Sequence, residues 1–173
     1  MKLAEEGKEY KENILSELLQ LKCLSDVNKL ISDIKTYRAR PVIRGKHPTL
    51  YPERIDGKYR TVMGVRICDY QFCIDEKWVL PNPQMGLSFS ATWENLQFVY
   101  GMFKKRSKKK PVDIHWVLSE TDIPPGLAFM ADKDNSGHYF LAVTERMHVE
   151  QLVRKLEMVA HRMSVIQGGG KIL

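Results

Sequence analysis

Prolines and glycines fall so often through the middle of this chain that no long regular element fits between them. Gly45, Pro48, Pro52 and Gly57 interrupt residues 44–58, and Pro81-Asn82-Pro83 stops the chain again. Pro111, Pro124-Pro125-Gly126 and the turn cluster 132–137 punctuate the second half. Proline removes a backbone donor and glycine favours turns, so each group ends whatever precedes it. The runs between them are short and rich in β-branched and aromatic residues, which predicts strands. They are Tyr37-Arg38-Ala39-Arg40 leading into Pro41-Val42-Ile43, then 59–65 and 66–74, then 86–90, 113–118, 127–130 and 138–144.

Helical periodicity survives in only a few places. Over the first 35 residues Ile14, Leu15, Leu18, Leu19 and Leu21, then Val27, Leu30, Ile31 and Ile34, predict a helical hairpin, with Ser25 as a cap of its second arm. Thr92 is placed to cap a helix carrying Asn95, Leu96, Phe98, Val99 and Phe103. Val149, Leu152, Val153, Leu156, Val159, Ala160 and Met163 form one stripe of a closing amphipathic helix. Strands and helices in this irregular order lack the rhythm of βαβ units. The expected class is therefore α+β with a mixed or antiparallel sheet. One domain of 173 residues is expected, with an N-terminal extension over 1–35, a core over 36–165 and a frayed tail over 166–173.

Charge is local. Of the 27 Lys and Arg residues, six lie in Lys104-Lys105-Arg106-Ser107-Lys108-Lys109-Lys110, and without them basic and acidic residues balance at 21 each. The basic pI therefore reports one cluster and argues against reading the whole domain as a nucleic-acid binder, and Lys104–Lys110 becomes the candidate contact for an acidic or nucleic-acid partner. No apolar run reaches the roughly 20 residues of a membrane span. The charged start, MKLAEEGKEYKEN, has no apolar signal region, so a cytoplasmic protein is expected. Any route to another cell would be signal-independent. Cys23, Cys68 and Cys73 have neither disulfide-framework nor zinc spacing and are expected to be small buried side chains in a reducing compartment. No phosphate-binding glycine loop, nucleophile elbow or paired-histidine metal motif occurs, and Gly168-Gly169-Gly170-Lys171 has no helix after it.

Two groups of residues remain. One is Tyr37-Arg38 with Gly86-Leu87-Ser88-Phe89-Ser90. The other is Thr121-Asp122-Ile123-Pro124-Pro125-Gly126-Leu127, the turn 132–137 and His138-Tyr139, running past Met147 into the last helix. In order and phrasing they resemble the ADP-ribosyltransferase-like toxins typified by a type VI secretion effector, with bacterial and fungal relatives. The resemblance spans about 36–159 and is sharpest over 121–153. It implies an ADP-ribosyltransferase-type fold, NAD+ as substrate with no metal, transfer or hydrolysis of ADP-ribose in a target cytosol, and a cognate immunity protein as partner.

It also implies roles. Arg38 matches the early-strand arginine that meets the phosphates of NAD+, for which a planar, permanently charged fork is suited. Ser88 matches the mid-strand hydroxyl of the nicotinamide pocket, with Ser90 two residues on and expected on the same face. His138 matches the late-strand polar residue near the ribose, with Tyr139 beside it. The superfamily's closing Glu-x-Glu is absent, and Glu145 is the carboxylate that follows the strand. The competing reading is a non-catalytic module that docks RNA or an acidic protein through 104–110.

Overall fold

The computed structural model describes residues 37–119 and 121–168, so the predicted helical hairpin over 1–35 lies outside the described residues. The chain is mixed α+β with mostly antiparallel pairing, and it divides into two compact units. The first comprises 37–45, 90–119, 121–122 and 163–168, and the second 46–89 and 123–162.

In the first unit β7 (Val112–Leu118) runs between β1 (Tyr37–Ile43) and β11 (Ser164–Ile166), antiparallel to both. Tyr37 pairs with Leu118 and Ala39 with Trp116. Helix α1 (Trp93–Arg106) adds Leu96 and Tyr100 to a core of Tyr37, Ala39, Val112, Ile114, Trp116 and Leu118. Tyr37 stacks on Trp116 at 5.2 Å, and burial pushes its phenol far above its ordinary pKa. Alternation sends Arg38 and Arg40 to the opposite face of β1, where they pair with Val117 and His115.

Thr92 caps α1 as its sequence predicts, its hydroxyl accepting the Asn95 N–H. The stripe differs from the expected one. Of the expected members Asn95 and Leu96 are buried and Phe103 packs against the core, joined by Tyr100, while Phe98 is 67% exposed. The basic run begins inside this helix: Lys104, Lys105 and Arg106 form its last turn, where cations offset the helix dipole. Lys108 and Lys109 follow in left-handed turn conformation.

Ile166 belongs to β11, the Gly168 N–H donates to Asp113 Oδ1 at 3.0 Å, and Arg44 donates to both Asp113 oxygens and to the Gly168 carbonyl. Separately, the Asp122 carboxylate accepts the Leu118 N–H at 2.6 Å and ends β7, which explains the Asp of the TDIPPG turn.

In the second unit β9 (His138–Val143) lies between β6 (Leu87–Ser90) and β8 (Leu127–Ala131). The unit boundary follows Phe89, and Ser90 pairs with Ala39 within the first unit. Two smaller sheets accompany it. One joins β2 (Thr61–Val62) to β3 (Val65–Arg66), and the other orders β10 (Met147–His148), β5 (Trp78–Leu80) and β4 (Gln71–Phe72). The β2–β3 turn places Met63 at φ 52° and Gly64 at φ 86°, a left-handed pair that matches the twist of a two-residue hairpin.

Helix α2 (Val149–Arg162) buries Val149, Leu152, Leu156 and Val159, four members of the predicted stripe. Its start is a reciprocal cap. His148 Nδ1 accepts the Glu150 N–H, and the Gln151 side-chain Oε1 accepts the His148 N–H at 3.0 Å. Cys68 and Cys73 are free and half-buried, not buried as expected, and burial pushes the Cys68 thiol up.

Gly86 meets β9 so closely that a Cβ there would sit 2.3 Å from the Leu141 carbonyl oxygen. Gly101, inside α1, has nothing within 4 Å of the same position. Gly86→Ala is expected to destabilise the fold by more than about 2 kcal/mol, because the atoms it strikes are backbone. Gly101→Ala is expected to stabilise it by about 0.5–1 kcal/mol through helix propensity. Denaturant midpoints of the two variants check both signs.

Candidate functional site

The β8–β9 hairpin builds the most ordered polar group of the second unit. Ala131 pairs with Tyr139, so the next rung sets Asp132 opposite His138, and the Asp132 N–H donates to the His138 carbonyl at 3.0 Å. Side chains on one rung share a face, and here His138 Nδ1 lies 2.8 Å from Asp132 Oδ2. Both side chains are largely enclosed, at 13% and 15% exposure. The Asp132 carboxyl is held below its usual range, chiefly by the Asp134 N–H and then by His138. A carboxylate at Nδ1 assigns the proton to that nitrogen and leaves Nε2 as an acceptor or base. The ring is also fixed by an edge-to-face contact with Phe140 at 4.8 Å.

The hairpin end is braced from outside. Gln84 accepts the Lys133 N–H and donates to the Ala131 carbonyl, both at 3.0 Å. Gln84 is in turn positioned by Asn82, whose Oδ1 accepts the Gln84 N–H. The Pro81-Asn82-Pro83 break therefore does more than stop a strand: it delivers the residue that holds the end of β8.

Alternation places Ser88 relative to this pair. Phe129 and Leu141 are cross-strand partners and share a face. Phe89 packs edge-to-face on Phe129 at 4.9 Å and so lies on that face too. Ser88, one residue earlier, points to the other side, the side of His138, Asp132 and Phe140. Ser88 is exposed there. Tyr139, adjacent to His138, falls on the Phe129–Leu141 face.

The remaining predicted residues stand elsewhere. Ser90 is buried and donates to Asn95 at the start of α1, so its hydroxyl is engaged in the fold. Arg38 belongs to the first unit, where its Nη1 donates to the Tyr37 carbonyl at 2.8 Å. Glu145 is exposed beside Gly126 and forms no salt bridge with its expected partners. Arg146 instead lies over Trp78 at 4.3 Å, and Lys155 donates to the Pro125 carbonyl. Asp132 was legible only as a turn former; an acid six residues before the histidine is the signal that could have marked it.

A second polar group lies along α2, where an open groove of about 440 Å³ is lined by His47, Pro48, Glu157, Ala160 and His161. His47 Nδ1 accepts the N–H groups of Thr49 and Leu50 at 3.2 and 3.1 Å, and Thr49 donates to the Leu156 carbonyl. The ring of His47, with Nδ1 unprotonated, thus organises the 47–50 turn, and the Thr49 hydroxyl fastens that turn to α2. Among the described residues no group of three His, Cys, Asp or Glu side chains is arranged to hold a metal ion. No helix among them is long and apolar enough to cross a membrane. Comparison of the chain with protein-family models, curated proteins and solved structures gives no match.

Desolvation first, and His161 after it, lower the His47 pKa, while Glu157 opposes them. A lowered folded value means the neutral ring stabilises the protein above about pH 6.5, the ordinary His value, and that this is lost as pH falls through the folded value. His47→Asn keeps an acceptor at the Nδ1 position and cannot titrate. The wild type is expected to lose stability relative to His47→Asn as the pH drops from about 7.5 to 5. A stability difference that stays constant across that range in chemical denaturation would contradict this.

Proposed function

We propose that the chain is an ADP-ribosyltransferase-like toxin that binds NAD+ and transfers or hydrolyses its ADP-ribose in a target cytosol. The observation that carries this reading is the shared face of Ser88 and the Asp132-held His138 on neighbouring strands. Resemblance alone names a histidine and a serine. A histidine whose Nδ1 is occupied by a carboxylate, with a hydroxyl on the same face, is an arrangement suited to a ribose and its leaving base.

The reaction breaks the bond between ribose C1′ and the nicotinamide nitrogen. The electron pair leaves with nicotinamide, and the ribose carries oxocarbenium character. His138 Nε2 accepts a hydrogen bond from a ribose hydroxyl or takes the proton of the incoming nucleophile. Asp132 stabilises the ring if it becomes charged. Ser88 hydrogen-bonds the carboxamide of nicotinamide; the phosphate role of Arg38 rests on the resemblance alone. Glu145, exposed beside Gly126, is the carboxylate that follows β9 in sequence, and its assignment to the developing positive charge rests on that order alone. With water as acceptor the products are ADP-ribose, nicotinamide and a proton. With a macromolecular acceptor, ADP-ribose is transferred. A cognate immunity protein would be the partner that protects the producing cell.

The alternative, docking of RNA or an acidic protein through Lys104–Lys110, draws on the exposed left-handed turn at Lys108 and Lys109. The two readings separate on loss of function. Wild-type chain expressed in bacteria is expected to stop growth and consume NAD+. His138→Ala and Arg38→Ala are each expected to slow NAD+ consumption about a hundredfold or more while remaining folded. Normal growth and intact NAD+ with a folded wild-type protein would overturn the enzyme reading. Loss of toxicity on reversing Lys104, Lys105, Lys108, Lys109 and Lys110, with NAD+ untouched throughout, would favour docking.

A further inference from the structure

The segment before β4 carries a group of side chains that the proposed reaction does not use. Its backbone is a set of short paired stretches, not an open loop. The Tyr51 N–H donates to the Gly64 carbonyl at 2.8 Å, the Thr61 N–H to the Arg54 carbonyl at 2.9 Å, and the Ile67 N–H to the Arg60 carbonyl at 3.0 Å. The Arg54 N–H returns to the Thr61 hydroxyl at 2.9 Å. On this frame the Arg66 guanidinium lies 3.6 Å from the centre of the Tyr51 ring and 4.9 Å from that of Tyr59. Arg54 and Lys58 approach Tyr59 as well, at 5.8 and 5.5 Å.

Three cations therefore surround one tyrosine that is 41% exposed. Among the described residues none of the three forms a salt bridge with a carboxylate. Arg60, in the same segment, pairs with the Glu76 carboxylate, while the segment's own acids, Glu53 and Asp56, form no salt bridge with the three cations. Cations held close together without a counter-ion repel one another and leave a positive potential for an anionic ligand. The run 104–110 has charge of the same sign but no aromatic residue among its members.

We infer that the Tyr51–Tyr59–Arg66 cluster binds single-stranded nucleic acid, seating a base against Tyr59 with flanking phosphates on Arg54 and Lys58. Flat π surfaces beside cations are the two elements by which single strands are held without sequence readout. An acidic protein would use the cations and leave the rings idle. A duplex hides its base faces and would gain only the phosphate contacts. This surface is independent of the reaction proposed for β6 and β9.

The test is fluorescence anisotropy of the full-length chain with labelled oligo-U, oligo-dT and a duplex of matched length, over about 50 to 200 mM NaCl. Both single strands are expected to bind at least about tenfold more tightly than the duplex. Tyr59→Ala is expected to weaken oligo-U binding by about tenfold, within the range of a lost base stack, and Tyr59→Phe to retain it. Removing two phosphate contacts in Arg54→Gln/Lys58→Gln is expected to flatten the log–log salt slope by about 1.4. These exposed positions leave the backbone pairing intact, so a circular dichroism spectrum matching wild type accompanies each result. Four outcomes would overturn the inference: no binding, binding unchanged by Tyr59→Ala, competition by polyglutamate as effective as by unlabelled oligo-U, or loss of binding only when Lys104, Lys105, Lys109 and Lys110 are neutralised.

Discussion

One buried hydroxyl sets how the strands of the proposed site lie on each other. Tyr70 Oη donates to the Leu141 carbonyl at 2.7 Å and accepts the Leu87 N–H at 3.3 Å. Without it, two buried backbone groups at the meeting of β6 and β9 would lack these partners, a costly state in a protein interior. Gly86 completes the constraint by letting β6 approach the Leu141 peptide where no side chain fits. Everything proposed for Ser88 and His138 depends on this contact, because it fixes which faces of the two strands coincide.

From that contact the placement of the side chains follows by alternation. Phe89, Phe129 and Leu141 take one face and pack together, which leaves Ser88, His138 and Phe140 on the other. The turn 132–137 then has two roles. It reverses the chain, and it returns Asp132 to the rung opposite His138, where the carboxylate fixes the tautomer. The Asp134 N–H and the Gln84 side chain hold that turn in place. The polar pair is therefore supported on several sides by backbone hydrogen bonds, and a ring held this way keeps its orientation when the environment changes.

Much of this was legible in the residues. The stripe of α2 has enough turns for its period to show, and Thr92 stands where a cap is expected ahead of an apolar run. The run 138–144 reads as a strand because Tyr139, Phe140, Val143 and Thr144 are β-branched or aromatic. What stayed hidden has physical causes. β4, β10 and β11 are two or three residues long, too short for any period to appear. His148 caps α2 with a ring nitrogen, in a position where sequence reasoning looks for serine or threonine. Phe98 is an apolar residue on the solvent side of α1, and alternation within β6 could not reveal that Ser90 is covered by Asn95 while Ser88 is open. Asp132 resembles any turn aspartate until the rung that pairs it with His138 is known.

The claim at the centre of this account is that the Ser88–His138 face of β6 and β9 receives NAD+. Nuclear magnetic resonance of the isotope-labelled full-length chain during NAD+ titration addresses it without requiring turnover. Saturable shifts of the Ser88 and His138 amides and of the His138 ring nitrogens are expected, with Nδ1 staying protonated against Asp132 throughout. Resonances of a folded protein that stay still at Ser88 and His138 while NAD+ reaches millimolar levels would contradict it.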